Sequence, residues 1–219
     1  MSVFDCLDPT TRREGIDAAV TAARGGRLVV LPTDTVYGIG ADAFNPAAVR
    51  SLLAAKGRGP DMPVPVLVGS WGTLSGLVQV MPKHARTLIE AFWPGGLSII
   101  VEHAPSLVWN LGDTRNTVMV RMPLHPVALE LLRAVGPMAV SSANISGLPP
   151  ATRVEEAQSQ LAEQVAVYLD GGTSAVGVAS TVVDLTGPEP VVRREGAVPF
   201  ERLQEVLPEV RRPDAASTA

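Results

Sequence analysis

The stretch that most constrains this chain runs from Val29 to Ala43, VVLPTDTVYGIGADA, followed by a helix and then Lys56-Gly57-Arg58. An apolar strand, Arg27 to Leu31, stops at Pro32. Thr33, Asp34, Thr35 and Tyr37 then stand where a core strand would continue with aliphatics. Polar groups at the end of a buried strand predict a site. Gly38 and Gly40 are expected to let the backbone approach a ligand closely or adopt positive φ, and Asn45-Pro46 opens the next helix as N-cap and first-turn proline. Val49, Leu52, Leu53 and Lys56 fall at i, i+3, i+4 and i+7, so Lys56 continues the inward face of that helix. A lysine placed there calls for an anion.

With 46% hydrophobic and 18% charged residues, the 219-residue chain has ample material for a core. Its net charge of −4 argues against nucleic-acid binding driven by overall charge and confines any RNA contact to a local cleft. The single cysteine, Cys6, excludes an internal disulfide and a thiolate metal site of its own, and fits a reducing compartment. The N-terminal residues lack the pattern of a secretory leader, and no apolar run reaches the ~18 residues of a membrane span. The expectation is a cytoplasmic protein without membrane contact.

Periodicity and turn residues divide the chain as follows. Helices are expected at Glu14–Arg24, Asn45–Lys56, Leu74–Val80, Lys83–Trp93, His125–Val135, from a Thr152/Glu155 capping box to Leu161, and at Phe200–Leu207. Besides Arg27–Leu31, strands are expected at Val64–Val68, Leu97–Val101, Thr117–Arg121, Met138–Ser141, Val165–Leu169, Thr181–Leu185 and Val191–Arg194. Residues 103–116 read as loop, and SANISGLPP after Ser141 reads as a small-residue backbone cradle. The alternation predicts one α/β domain over residues 14–208 with a twisted, largely buried sheet, after an N-terminal segment 1–13 and before a disordered tail at 209–219.

The polar residues that this pattern leaves unexplained sit at strand ends or in loops: Thr33 and Thr35, Lys56 and Arg58, Thr117 and Arg121, Ser142 and Asn144, Ser180 and Thr181, and Arg194. In open α/β sheets, hydroxyls and backbone amides at strand termini converge on anions. Several cations among many hydroxyls suit a polyphosphate, with Lys56 as a point charge and Arg58 as a planar fork. Each residue also has a plainer reading: Lys56 as a helix-end cation, Arg121 in an ion pair, Ser142 and Asn144 closing a turn, and Tyr37 as a core aromatic. Gly38-x-Gly40-x-x-Ala43 matches a dinucleotide fingerprint, but PTDTVY separates it from its strand and the helix begins only at Pro46. His84, His103 and His125 lack metal-ligand spacing.

Taken together, PTDTVYGIG (Pro32–Gly40), Lys56-x-Arg58 with Pro63, Trp93-Pro94-Gly95, TVMVRMP (117–123), SSANISG (141–147), STVVD (180–184) and Arg194-x-Gly196 resemble the YrdC family, the threonylcarbamoyl-AMP synthases. The resemblance runs from about Gly15 to Leu207 and implies a YrdC-like twisted open mixed sheet flanked by helices. It also implies the first step of N6-threonylcarbamoyladenosine formation in tRNA: L-threonine, bicarbonate and ATP give L-threonylcarbamoyl-AMP and pyrophosphate. Carried over residue by residue, it implies Thr33, Arg58, Thr117, Arg121 and Ser180 as contacts to threonine and its carbamate. It implies Lys56, Arg58, Ser142, Asn144, Thr181 and Arg194 as ATP contacts, with Lys56 and Arg58 catalytic. Mg²⁺ is expected through the ATP phosphates, without a protein metal site. A TsaD-type transferase complex is the implied recipient, with weak tRNA binding as a further possibility. Gly59, Met62 and Ala179 depart from the family's usual residues, and the chain resembles the short form that lacks the long form's C-terminal domain. The alternatives are a structured-RNA-binding module linked to ribosomes, and a carbamoyl transferase-like domain.

Overall fold

The computed structural model describes residues 1–213. Ten strands form one mixed sheet: β1 (Ser2–Asp5), β2 (Val29–Leu31), β3 (Gly38–Asp42), β4 (Val66–Leu67), β5 (Leu97–Glu102), β6 (Thr117–Arg121), β7 (Met138–Ser142), β8 (Val167–Asp170), β9 (Thr181–Asp184) and β10 (Val191–Arg194). Their order across the sheet is β1-β8-β2-β3-β7-β4-β6-β5-β9-β10. Seven helices flank it: α1 (Pro9–Arg24), α2 (Pro46–Ala55), α3 (Trp71–Leu77), α4 (Lys83–Phe92), α5 (Pro126–Val135), α6 (Val154–Leu161) and α7 (Phe200–Val206).

Side chains alternate across a strand, so the sheet presents two faces, each with its own core. Val30, Ile39, Val66, Ile99, Val118, Val120 and Val183 point to one face, where they meet Val49 and Leu52 of α2, Leu88 of α4, Leu161 of α6 and Leu203 of α7. Val29, Leu31, Leu67, Met138, Val140 and Leu169 point to the other, where Ile16, Ala19 and Ala23 of α1 and Leu131 and Leu132 of α5 cover them. The second core ends at β4. Beyond it the same face carries Met119 and Arg121 of β6, Ser98 of β5 and Arg194 of β10, and among the described residues no helix lies over them. They line a cavity. Among the described residues no helix is long and apolar enough to cross a membrane.

The structure corrects several boundaries. Helix α1 begins at Pro9, not Glu14, because the Asp8 carboxylate caps it, accepting from Thr10 N and Thr11 N. The N-terminal segment also supplies β1, which pairs in parallel with β8. Gly38 and Gly40 are not loop residues. They form β3, antiparallel to β2 and β7, and neither has positive φ. A Cβ at Gly38 would lie 2.6 Å from Val140 Cγ1, so the strand uses glycine for close packing. Helix α3 starts at Trp71 because Ser70 Oγ caps Thr73 N, and it ends before Val78 turns extended. The Glu that closes the α6 capping box is Glu156, whose carboxylate accepts from Thr152 N and Arg153 N, with Arg153 as N-cap. Of the expected tail, residues 209–213 are ordered by contacts: Arg211 N bonds to Pro190 O, and the Arg212 guanidinium lies 4.0 Å over the Phe200 ring. Residues 214–219 lie outside the described part.

Candidate active site

The cavity holds about 230 Å³ over the uncovered part of the sheet face. It is lined from seven separate stretches: the 33–38 segment, Arg58 with Pro63 and Pro65, Ser98, Met119 with Arg121, the end of β7 at Ser141 and Ser142, Ser180, and Arg194.

Arg121 is buried, and its charge is matched within the protein. Its Nη2 donates to Asp34 Oδ1 at 2.5 Å, Nη1 to Thr35 Oγ1 at 2.8 Å and Nε to Gly95 O at 2.9 Å. Asp34 Oδ1 also accepts from Leu124 N at 2.9 Å. The carboxylate thus answers a buried guanidinium that would otherwise be costly to hold. Hydrogen-bond direction continues along the loop. Thr33 Oγ1 donates to Val36 O at 2.6 Å, so in its 3.0 Å contact with Thr35 Oγ1 it is the acceptor, and it accepts Thr35 N as well. The PTDT turn is therefore rigidly set by its own side chains. Val176 N and Gly177 N bond to the carbonyls of Asp34 and Thr35, tying the loop after β8 to it.

Two other arginines keep N–H groups for a ligand. Arg58 uses Nε on Ser146 Oγ at 2.7 Å. Arg194 uses Nε on Ser180 O at 3.0 Å and Nη2 on Ser180 Oγ at 3.1 Å. Neither pairs with a carboxylate among the described residues, in contrast to Arg121, the third arginine on the cavity wall. Ser180 Oγ further shares a 2.8 Å bond with Ser98 Oγ.

Of the residues singled out in the sequence, Thr33, Arg58, Arg121, Ser142, Ser180 and Arg194 reach the cavity wall. Lys56, Asn144 and Thr181 stand behind it. Lys56 is fully buried as the inward pattern required, but its Nζ donates to Ser142 O at 2.5 Å, Asn144 O at 2.8 Å and Asn144 Oδ1 at 3.3 Å. It clamps the loop after β7 through carbonyl oxygens instead of facing an anion, and burial beside Arg58 pushes its pKa down to about 8. Asn144 Nδ2 spans the same loop to Ile145 O and Leu148 O. Thr181 Oγ1 donates to Val198 O and accepts from Gly196 N and Val198 N. Thr117 lies at the far end of β6, its hydroxyl on Thr114 O. The Tyr37 hydroxyl donates to Gly172 O at 2.6 Å and accepts from Gly171 N at 3.0 Å, so it fastens the segment leading into β3 to the turn after β8. Sequence reasoning missed Ser98, whose only signal is a hydroxyl in the otherwise apolar LSIIV.

The family model labelled Sua5_yciO_yrdC and described as "Telomere recombination" matches residues 21–196. A Mycobacterium tuberculosis protein provisionally named a threonylcarbamoyl-AMP synthase is 65% identical over 204 residues, 93% of this chain and 94% of its own. The threonylcarbamoyl-AMP synthase of Bacillus subtilis is 38% identical over 200 residues, 90% of this chain and 58% of its own. Pyrococcus abyssi Sua5 complexed with L-threonine superposes with a TM-score of 0.92 at 34% identity, covering all of this chain and 64% of that one. The chain thus spans under two thirds of these last two proteins.

Proposed function

The chain belongs to the Sua5/YciO/YrdC family, and from that premise we propose that it makes L-threonylcarbamoyl-AMP from L-threonine, bicarbonate and ATP, the first step of N6-threonylcarbamoyladenosine formation. The observation that carries this reading is the pair of uncommitted guanidinium groups, Arg58 and Arg194, on one small cavity lined with hydroxyls. Threonine and bicarbonate condense to a carbamate, whose oxygen attacks the α-phosphorus of ATP as the bond to the pyrophosphate leaving group breaks. Carbamate and triphosphate repel one another, so fixed cations on both sides lower the barrier by neutralising and aligning them. Arg58 and Arg194 fill that role. Arg121, neutralised by Asp34, shapes the PTDT loop, and Lys56 holds the Ser142–Asn144 segment in position.

A volume of about 230 Å³ suits an amino-acid carbamate, with the nucleotide seated at the mouth against Ser142 and Arg194. Mg²⁺ would arrive on the phosphates. The donor set fits that mode, because among the described residues the cavity wall offers hydroxyls and no carboxylate, and Asp34 Oδ1 behind it is taken by Arg121 and Leu124 N. The adenylate is a reactive mixed anhydride that a TsaD-type transferase would consume.

The test is pyrophosphate release by the purified protein with Mg²⁺-ATP, omitting L-threonine or bicarbonate in turn, beside Arg58→Ala. Release that needs both co-substrates and falls at least a hundredfold in the variant is expected. ATP binding without threonine-dependent release would redirect the reading to carbamoyl phosphate or RNA.

A further inference from the structure

We propose that Ser98 is a positioning residue that fixes Ser180 as a hydrogen-bond donor toward an anionic substrate oxygen; this rests on the reading that the cavity is the synthase site. Ser98 sits on β5, 2% exposed, and among the described residues its hydroxyl has a single partner, Ser180 Oγ at 2.8 Å. The contact admits either oxygen as donor; Ser98 is taken as the donor, because Ser180 Oγ is the acceptor within reach inside the protein and an unpaired buried hydroxyl proton is costly. Ser180 Oγ also receives Arg194 Nη2 at 3.1 Å. A serine oxygen has two acceptor positions and one proton. With both acceptor positions filled, what Ser180 retains is its proton, which points to the cavity that it lines.

The arrangement selects its ligand. A donor hydroxyl beside the Arg194 guanidinium receives an oxygen with negative charge and rejects a donor such as an ammonium or amide N–H. Two substrate groups supply such an oxygen: the carboxylate or carbamate of the threonine half, and a phosphate of ATP. Without Ser98, Ser180 can turn its proton inward or rotate, and the ligand loses an aligned, charge-assisted bond.

The experiment measures KM and kcat for L-threonine and for ATP in wild type, Ser98→Ala, Ser98→Cys, Ser98→Thr, Ser180→Ala and Ser98→Ala/Ser180→Ala, with melting temperatures alongside. In Ser98→Ala one KM is expected to rise about tenfold, the scale of a hydrogen bond to a charged group, while kcat changes less than threefold. A rise for threonine places the carboxylate or carbamate on Ser180, and a rise for ATP places a phosphate there. Thr should restore the KM to within about twofold of wild type, and the weak S–H donor of Cys should fall between. In the Ser180→Ala background, removing Ser98 should add no further change in KM.

Unchanged KM values in Ser98→Ala, equal defects in the Ala and Thr variants, or additive effects in the double variant would each overturn the proposal. Should Ser98→Ala fail to fold, the comparison of Cys with Thr carries the same decision. Absence of threonine-dependent turnover in the wild type would instead overturn the synthase reading, which these variants do not touch.

Discussion

Arg121 enters the cavity with its charge already matched, and that separates it from Arg58 and Arg194. Removing the Asp34 carboxylate leaves a guanidinium that is 6% exposed without its counter-ion. Breaking a buried pair from one side costs about 3 to 5 kcal/mol. Asp34→Ala is therefore expected to lower Tm by about 10 °C, at ~2 to 4 °C per kcal/mol for a chain of this size. Asp34→Ala/Arg121→Met should recover part of the loss, and a fall under ~2 °C for the single change would show that Arg121 finds another acceptor. Lys56 gives a pH signature. Its folded pKa of about 8 lies below the ordinary lysine value of 10.5 because burial penalises the ammonium, with Arg58 adding repulsion. The penalty is fully present below the folded value and disappears as pH rises through the unfolded one, since the unfolded chain then binds more protons. Stability relative to Lys56→Met is thus expected to rise between pH 8 and 10.5, by on the order of 3 kcal/mol. Urea unfolding of both proteins across that range checks it, and a flat difference would mean that the carbonyl oxygens of Ser142 and Asn144 hold the ammonium charged.

At the scale of elements, the helices α2, α4 and α5 were legible because their apolar residues repeat at helical spacing and Asn45 and Pro46 mark a start. Strand β3 was not. Its GIGAD reads as turn chemistry, and glycine is selected there because Leu31, Met138 and Val140 close over the strand, a fact of packing between distant segments. The capping box slipped by one residue because a glutamate at either position satisfies the local pattern, and only the fold decides which residue is the N-cap. In the site, hydroxyls and arginines stood out as polar groups at strand ends, whereas Ser98 is a single polar residue inside an apolar strand. Lys56 was read correctly as inward-facing, but its partners are carbonyl oxygens, which no residue type announces. The approach of the loop after β10 to the start of β9 is equally invisible in sequence. A Cβ on Gly196 would lie 2.2 Å from Ala179 O and 2.8 Å from Ser180 C, so backbone must shift. Gly196→Ala is expected to cost about 1 to 3 kcal/mol and, by displacing Ser180 from Arg194, to cut turnover at least tenfold. Equal turnover with lowered Tm would separate the packing role from the site.

Across the whole molecule, the site exists because two helices, α1 and α5, cover only part of one sheet face while five cover the other. Alternation of strands and helices predicted an α/β sheet, but periodicity marks that a face is buried without saying which element buries it, so the bare part of the face could not be read in advance. Its walls come from segments as far apart in the chain as Thr33 and Arg194. A ligand that bridges them joins β2, β6, β7 and β9 and opposes unfolding of the entire sheet. Binding to the folded state alone adds RT ln(1 + [L]/Kd), about 2.7 kcal/mol at a hundredfold excess over Kd. For a chain of this length that is an increase in Tm of about 5 to 10 °C. L-threonine with bicarbonate, or a non-hydrolysable ATP analogue, each added separately at a hundred times its calorimetric Kd, should therefore produce a shift of that size. Arg58→Ala, measured at the same concentrations, should lose most of it, because the anionic ligands then face the cavity without one of its two free guanidinium groups. A shift retained in full by the variant would place the ligands elsewhere on the fold, and a wild-type shift under 1 °C would mean that binding leaves the segments unlinked.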